Sequence, residues 1–138
     1  MRKTTHLAAL LSLIVTQANA QDIPTVLSIE LNAQASNDAG CLLTFVVSNG
    51  HPKEIESAVF ETVLFNTAGQ VDRLTLFDFG SLPAGRLRVR QFQIDGLACE
   101  GLGQALVNGA SSCKVGGADS PLCSKLKLST RSGTALVG

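Results

Sequence analysis

The 138-residue sequence contains no tyrosine and no tryptophan, so its six phenylalanines are its only aromatic residues. Tyrosine and tryptophan often anchor binding sites, because they join a large apolar ring to a polar group. Their absence excludes a binding site built on such anchors. Phenylalanine has no hydrogen-bonding group, and its role is packing.

Residues suited to acid–base or nucleophilic catalysis are also scarce. Apart from His6 near the N terminus, the one histidine is His51, which stands beside Pro52 in a polar segment. A Ser-His-Asp triad needs an imidazole held between a nucleophile and an acid, and the chain has no G-x-S-x-G motif. Carboxylates such as Glu61 and Asp78 are explained more simply as cross-strand partners of arginines than as a glycosidase pair. We therefore predict a protein that is not an enzyme, with no catalytic residue, metal or cofactor.

Long apolar runs are missing except near the N terminus, where LAALLSLIV follows two basic residues. Nine residues are too few to span a bilayer, and the small-x-small triplet Ala18-Asn19-Ala20 is typical of a signal peptidase site. The alternative is a buried N-terminal helix. No twin-arginine pair precedes the run and no cysteine follows the triplet, which disfavours Tat export and a lipid anchor. We predict a signal peptide over residues 1–20, Sec-dependent export to the periplasm, and one domain over residues 21–138 without a membrane span.

The chain has no excess of positive charge, since eleven Lys and Arg residues balance eleven Asp and Glu residues. Loss of residues 1–20 would remove Arg2 and Lys3 and leave nine basic residues against eleven acidic ones. Nucleic acid binding depends on clustered positive charge. The composition therefore excludes nucleic acid as the expected partner.

The four cysteines, Cys41, Cys99, Cys113 and Cys123, all lie after the predicted signal peptide. An even number of cysteines in an exported domain indicates two disulfides. Three pairings are possible, and we favour Cys113–Cys123 because KVGGADSPL between them can bend back, which leaves Cys41–Cys99. Zinc is the alternative, but the spacings of 57, 13 and 9 residues match no finger or ribbon.

Short apolar or alternating segments separated by turn residues indicate strands throughout the mature chain. They are VLSIEL at 26–31, CLLTFVVS at 41–48, AVFETVLF at 58–65, VDRLTLFDF at 71–79, RLRVRQFQI at 86–94, a short strand at 105–107 and a last one within 123–137. Segment 58–65 has no clean period of two, so a helix competes there, and its β-branched and aromatic residues favour a strand. Asn66–Gly69 and Asn108-Gly109 are predicted turns, and Leu82–Gly85 is a corner. About seven strands predict an all-β, antiparallel sandwich stapled by disulfides.

The fifth of these segments contains a row of basic residues, Arg86, Arg88 and Arg90. Its alternation predicts that Leu87 and Val89 face inward and that the arginines share the outer face, about 7 Å apart. Because the apolar phase then changes, we also predict a β-bulge at 90–91. The row is a candidate binding surface for an acidic partner or a phosphate group, and a salt-bridged ladder is the structural alternative.

Two motifs from this central region carry a resemblance to a known family. Leu64-Phe65-Asn66-x-x-Gly69 and the later Leu82-Pro83-Ala84-Gly85, with Phe45-Val46-Val47-x-Asn49 upstream, resemble the FxLYD family of bacterial extracytoplasmic domains over residues 42–94. The chain departs from that family at three positions. Phe65 stands where the family has tyrosine, Asn66 stands where it has aspartate, and Ala84 is inserted between Pro83 and Gly85. The resemblance implies an immunoglobulin-like sandwich and no functional residues.

The four-cysteine pattern is similar to that of a group of exported alphaproteobacterial proteins without an assigned activity. This similarity implies a periplasmic location. Together the observations predict a non-enzymatic interaction or accessory module that binds another envelope protein. The alternative is a small-ligand carrier or a hydrolase inhibitor acting through the Cys113–Cys123 loop, and an enzyme is the third reading.

Overall fold

A computed structural model describes residues 24–138, and the predicted signal peptide lies outside the described residues. Within that range the chain forms nine strands in two sheets, two short 3-10 turns and no α-helix. The predicted all-β sandwich is confirmed. No helix of the described part is long and apolar enough to cross a membrane.

One sheet, called sheet A, has four strands. They are β1 (Leu27–Asn37), β2 (Gly40–Asn49), β5 (Leu87–Asp95) and β8 (Leu126–Thr130), in the spatial order β5-β2-β1-β8. The pairs β1–β2 and β2–β5 are antiparallel, whereas β1 and β8 run parallel.

The other sheet, sheet B, has five strands. They are β3 (Ile55–Asn66), β4 (Val71–Leu82), β6 (Leu102–Val115), β7 (Ala118–Asp119) and β9 (Ala135–Val137). The order is β4-β3-β6, and β7 and β9 both pair with the other edge of β6, β9 in parallel.

The expectation of about seven strands, all antiparallel, is corrected by the C-terminal segment. This segment divides between Arg131 and Thr134, and its halves join different sheets as β8 and β9. The division adds one strand and creates both parallel pairs, and the two-residue strand β7, within the predicted Cys113–Cys123 loop, adds another. The glycine-rich segment before Cys113 also forms a strand of 14 residues rather than a short one followed by a turn.

Strand β3 lies at the centre of sheet B, with Phe60, Thr62 and Leu64 buried between the sheets. This confirms the strand prediction over the helix for residues 58–65. Asn66 Oδ1 accepts hydrogen bonds from the amides of Ala68 and Gln70, both at 3.0 Å, and so forms the predicted turn into β4. Side-chain amide geometry of this kind holds the chain reversal without any role in binding.

The core between the sheets is filled by aromatic packing. The ring of Phe45 lies 5.6–5.8 Å from the rings of Phe77, Phe79 and Phe92. The rings of Phe77 and Phe92 stack at 4.4 Å with an interplanar angle of 13°. Close packing of this kind fills the centre of the sandwich with aromatic rings.

The predicted disulfide pairing is confirmed as Cys41–Cys99 and Cys113–Cys123. All four sulfurs are bonded, so the zinc alternative lacks its thiolates. The first disulfide joins β2 to the turn Cys99–Gly101 before β6, and the second joins β6 to the turn Pro121–Cys123. Stable disulfides indicate an oxidising, extracytoplasmic location.

Candidate functional site: a cleft at one side of the sandwich

The orientation predicted for β5 is wrong. Leu87 and Val89 are 65% and 57% exposed. Arg90 and Arg88 pair with the buried Phe45 and Val47 of β2, so both arginines lie on the inner face. The β2–β5 register is unbroken, and the predicted bulge is absent from this pairing. The physical reason is that β5 is an edge strand, where an arginine on the inner face reaches polar groups of the other sheet.

Arg90 of β5 and Arg73 of β4 help to close the side of the sandwich between these two strands. Arg90 donates from Nε to the carbonyl of Phe79 at 2.8 Å and from Nη2 to that of Ser81 at 3.1 Å. From the other edge, Arg73 donates from Nη1 to the carbonyl of Asp95 at 2.7 Å. Inward-pointing charges are one way in which proteins protect exposed strand edges. The two guanidinium groups and the stacked rings of Phe77 and Phe92 together close the β4–β5 side of the sandwich.

The binding role predicted for the arginine row stays a prediction. Arg86 precedes β5 and is exposed, while Arg88 donates to the carbonyl of Leu87 on its own strand at 2.9 Å. Arg90 is bonded to β4, Arg88 and Arg90 are both partly buried, and Arg86 is the exposed member of the row. The three side chains therefore do not present one uniform outer surface.

The opposite side of the sandwich, between β6 and β8, contains an open cleft of about 710 Å³. One wall is β6, a second is the inner face of β8 with Leu126 and Leu128, and the turn Pro121–Cys123 closes one end. Gly138 lies at the other end. The volume is within the range of ligand-binding pockets.

The wall formed by β6 has an uncovered backbone edge. The pairing of β9 with β6 stops at Leu106, and that of β7 begins at Lys114. At the boundary, the Ser120 amide donates to the Cys113 carbonyl at 3.0 Å. Within residues 24–138, no strand pairs with this edge at 108–112, and four of these five residues are exposed.

The same stretch is bulged twice relative to β3. Asn108 and Ser111 are the extra residues, because Val107 and Gly109 pair with consecutive residues of β3, as do Ala110 and Ser112. The predicted turn at Asn108-Gly109 is therefore a bulge within a strand. Bulges leave main-chain groups outside the ladder and often accompany functional sites.

The cleft combines an apolar floor with a polar rim. Ala110 lies in register with Phe60 and so faces between the sheets, yet it is exposed, because sheet A does not cover it. Leu126 and Leu128 are half-buried against the core, and the rim contains Ser120 and Ser124, whose hydroxyl groups bond to the Leu122 amide and the Pro121 carbonyl of the end wall. This arrangement suits a ligand with both apolar groups and hydrogen-bonding backbone or polar groups.

The end wall is held in place by local bonds. His51 Nε2 lies 3.2 Å from the carbonyl of Leu122, and the Ser124 hydroxyl donates to the Pro121 carbonyl at 2.7 Å. With the Cys113–Cys123 disulfide, these contacts fix the turn beside β6. His51, predicted as an exposed loop residue, is partly buried and acts in this geometry as a structural contact.

A second surface is the outer face of sheet B near β4. Val71, Leu74 and Leu76 are 55–59% exposed there, next to Val63, which is 8% exposed. We call these residues the β4 face. A cluster of exposed apolar side chains of this kind is a recognised feature of contact surfaces.

The sequence pointed to the Cys113–Cys123 loop but missed the two facing walls, β6 and β8. A scan against protein-family models finds no matching family, and searches of curated proteins and of solved structures find no match. The cleft is thus identified from its own geometry.

Proposed function

We propose that this protein is a non-enzymatic interaction module of the bacterial envelope, which binds another envelope protein through the β6–β8 cleft. The observation that carries the proposal is the uncovered edge of β6 at residues 108–112, next to a cleft of about 710 Å³. Unpaired strand edges are ready-made surfaces for another chain. The tightly packed core and the sealed β4–β5 side direct binding to this side.

The periplasm is the compartment that we propose, after Sec-dependent export. The two disulfides support an oxidising compartment. The basic start, short apolar run and Ala18-Asn19-Ala20 triplet of the sequence support cleavage before Gln21.

We also propose that the fold is immunoglobulin-like and related to the FxLYD domains. The spatial orders β1-β2-β5 and β4-β3-β6 correspond to the A-B-E and C′-C-F arrangements of such sandwiches, which supports this assignment. The two motifs on which the resemblance rests include the turn at Asn66 and the corner at Gly85, whose φ is 67°. These residues shape the backbone, and none of them lines the cleft.

Site-specific photo-cross-linking in the native periplasm tests the function. With Ala110→p-benzoylphenylalanine, we expect a discrete covalent adduct with one envelope protein. The matched control is Ala35→p-benzoylphenylalanine, because Ala35 is also exposed but lies on the outer face of sheet A. Adducts from both positions, or from neither, would remove the cleft as the contact surface.

A small-ligand carrier is the second candidate, favoured by the volume of the cleft and its apolar floor. The inhibitor reading receives less support, because the hairpin tip between β6 and β7 is Gly116-Gly117, which has no side chains to fill an enzyme pocket. Native mass spectrometry of protein purified from its own periplasm separates the candidates. A bound small molecule favours the carrier, and a bare chain with the cross-linked partner favours the module.

A further inference from the structure

We infer that the cleft binds an extended peptide segment, which adds as a strand to β6 between β9 and β7 and places apolar side chains at alternate positions toward the core. This inference rests on the proposed function and names the chemistry of the partner. It follows from three properties of the cleft, namely its hydrogen-bonding edge, its apolar floor and its length.

The uncovered edge of β6 favours a ligand that forms hydrogen bonds through its main chain. Residues 108–112 have main-chain groups on the cleft side without a partner strand among the described residues. The bulges at Asn108 and Ser111 add groups that do not pair with β3. A row of main-chain donors and acceptors is matched most completely by another extended main chain.

The apolar floor of the cleft determines which side chains are favoured on the inward face of the bound peptide. Side chains of a strand alternate between two faces, so every second residue of the peptide would point between the sheets. There it would meet Ala110, Val107, Leu126 and Leu128. These are small or aliphatic groups, and the charged pair at the cleft, Lys114 Nζ and Asp119 Oδ1, is already bonded at 2.6 Å. The inward positions therefore favour aliphatic residues, and the outward positions are free to be polar.

The ends of the gap limit the peptide to about five residues. At one end the Cys113 carbonyl is occupied by the Ser120 amide, and at the other the pairing of β9 with β6 stops at Leu106. An extended segment of five residues spans about 16 Å. Pro121 directs the chain away after Ser120, so β7 itself does not continue along the gap.

The test uses a library of random eight-residue peptides displayed on phage, panned against the oxidised exported chain. An enriched peptide is synthesised and then remade with single N-methyl groups along its backbone. We expect methylation at alternate positions to weaken binding by about tenfold each, since those amides donate to β6. Methylation at the intervening positions should have little effect, because those amides face solvent. In ¹⁵N spectra the peptide should shift the amides of residues 108–112.

Ala110→Trp fills the cleft and should abolish peptide binding, while the matched Ala35→Trp should leave it unchanged. Ser124→Trp, at an exposed residue of the end wall, repeats the test without altering β6. Unchanged disulfides and ¹⁵N spectra outside the cleft show that each variant is folded. Failure to enrich any peptide, equal sensitivity at all N-methyl positions, or binding that survives both cleft variants would overturn the inference.

Two outcomes separate this inference from the proposed function. If an envelope partner is cross-linked at Ala110 but no linear peptide from that partner binds, the proposed interaction module is supported and strand addition to β6 is contradicted. If peptides bind in the cleft but no envelope protein is cross-linked there, strand addition is supported and the proposed function as an envelope interaction module is contradicted. An increase to dimer mass by light scattering, lost in Ala110→Trp, would instead assign the edge to a second copy of the chain and overturn the inference.

Discussion

Arg90 is an arginine on the inner face of β5, the edge strand of sheet A. In an alternating sequence, arginine is assigned to the solvent face because burial of its charge is costly. Arg90 lies on the inner face at an edge, where its stem covers apolar surface and its guanidinium group reaches two carbonyls of β4. The residue is thus part of the structure that closes one side of the sandwich.

Arg90→Met should lower the free energy of unfolding by about 1–3 kcal/mol, because the two charge-assisted hydrogen bonds that join Arg90 to β4 are lost from a partly exposed site. Arg88→Met is the matched control, since Arg88 bonds only to its own strand, and it should change stability by less than about 0.5 kcal/mol. Urea unfolding of both variants measures the difference. Equal effects of the two substitutions would contradict the role given to Arg90.

Glu30 supplies a pH-dependent contribution at the same scale. A hydrogen bond from Asn32 and the guanidinium group of Arg131 hold the pKa of this carboxyl below its ordinary value. A lowered pKa means that the unfolded chain binds the proton more readily. The stabilisation is therefore present above the ordinary carboxyl value of 4.5 and is lost as the pH falls through the lower folded value.

We expect Glu30→Gln to reduce stability near pH 7 and to differ less from the wild type at pH 3. Chemical denaturation at the two pH values measures this narrowing. In an Arg131→Gln background, Glu30→Gln should still lower the stability near pH 7, though by less, because the hydrogen bond from Asn32 also lowers the pKa of Glu30. If the difference in stability between Glu30→Gln and the wild type were larger at pH 3 than near pH 7, the predicted direction of the pH dependence would be wrong.

At the scale of elements, β5 and β6 both depart from what their sequences indicate, and for the same reason. Among residues 24–138, β5 has no neighbouring strand on one edge, and β6 has none on one edge at residues 108–112, so the usual rule of apolar inward and polar outward does not apply along the whole of either strand. In β5 the rule is inverted at residues 87–90, where Leu87 and Val89 are exposed and the two arginines lie on the inner face. In β6 the two bulges take the place of the predicted turn.

The inverted orientation of β5 is open to a direct test. Leu87→Thr and Val89→Thr should each change the free energy of unfolding by less than about 0.5 kcal/mol, because both side chains are mostly exposed. Leu43→Ala on β2 is the buried comparison and should cost about 2–5 kcal/mol. If the threonine variants were as unstable as Leu43→Ala, the orientation would be incorrect.

At the scale of the whole molecule, the two lateral sides of the sandwich are different. The β4–β5 side is closed by stacked phenylalanines and arginines, and the β6–β8 side is held open beside a disulfide. In the proposed function, the open side is the binding side and the closed side is structural. Binding there would not depend on tyrosine or tryptophan, since the backbone edge of β6 would supply the hydrogen bonds.

The two disulfides should contribute unequally to global stability. Loop-closure entropy predicts a loss of about 3 kcal/mol for Cys113→Ser/Cys123→Ser and about 4 kcal/mol for Cys41→Ser/Cys99→Ser. Denaturant unfolding of the two double variants checks the order. Only the first pair should increase amide exchange at residues 107–113, because its disulfide borders the cleft. The opposite order of losses, or faster exchange there in the second pair alone, would contradict this assignment.

The sequence by itself determined the all-β class and the turn at Asn66, and it favoured, among three possible pairings, the disulfides that the structure confirms and with them an extracytoplasmic location. Each of these follows from local chemistry: side-chain alternation, turn residues, and the number and spacing of cysteines. Tertiary structure alone decided which faces of β5 are buried, how the C-terminal segment divides between the sheets, and that residues 108–112 border a cleft. These features depend on whether a strand has a neighbour on each edge and face, and neighbours distant in sequence are not encoded in any local pattern.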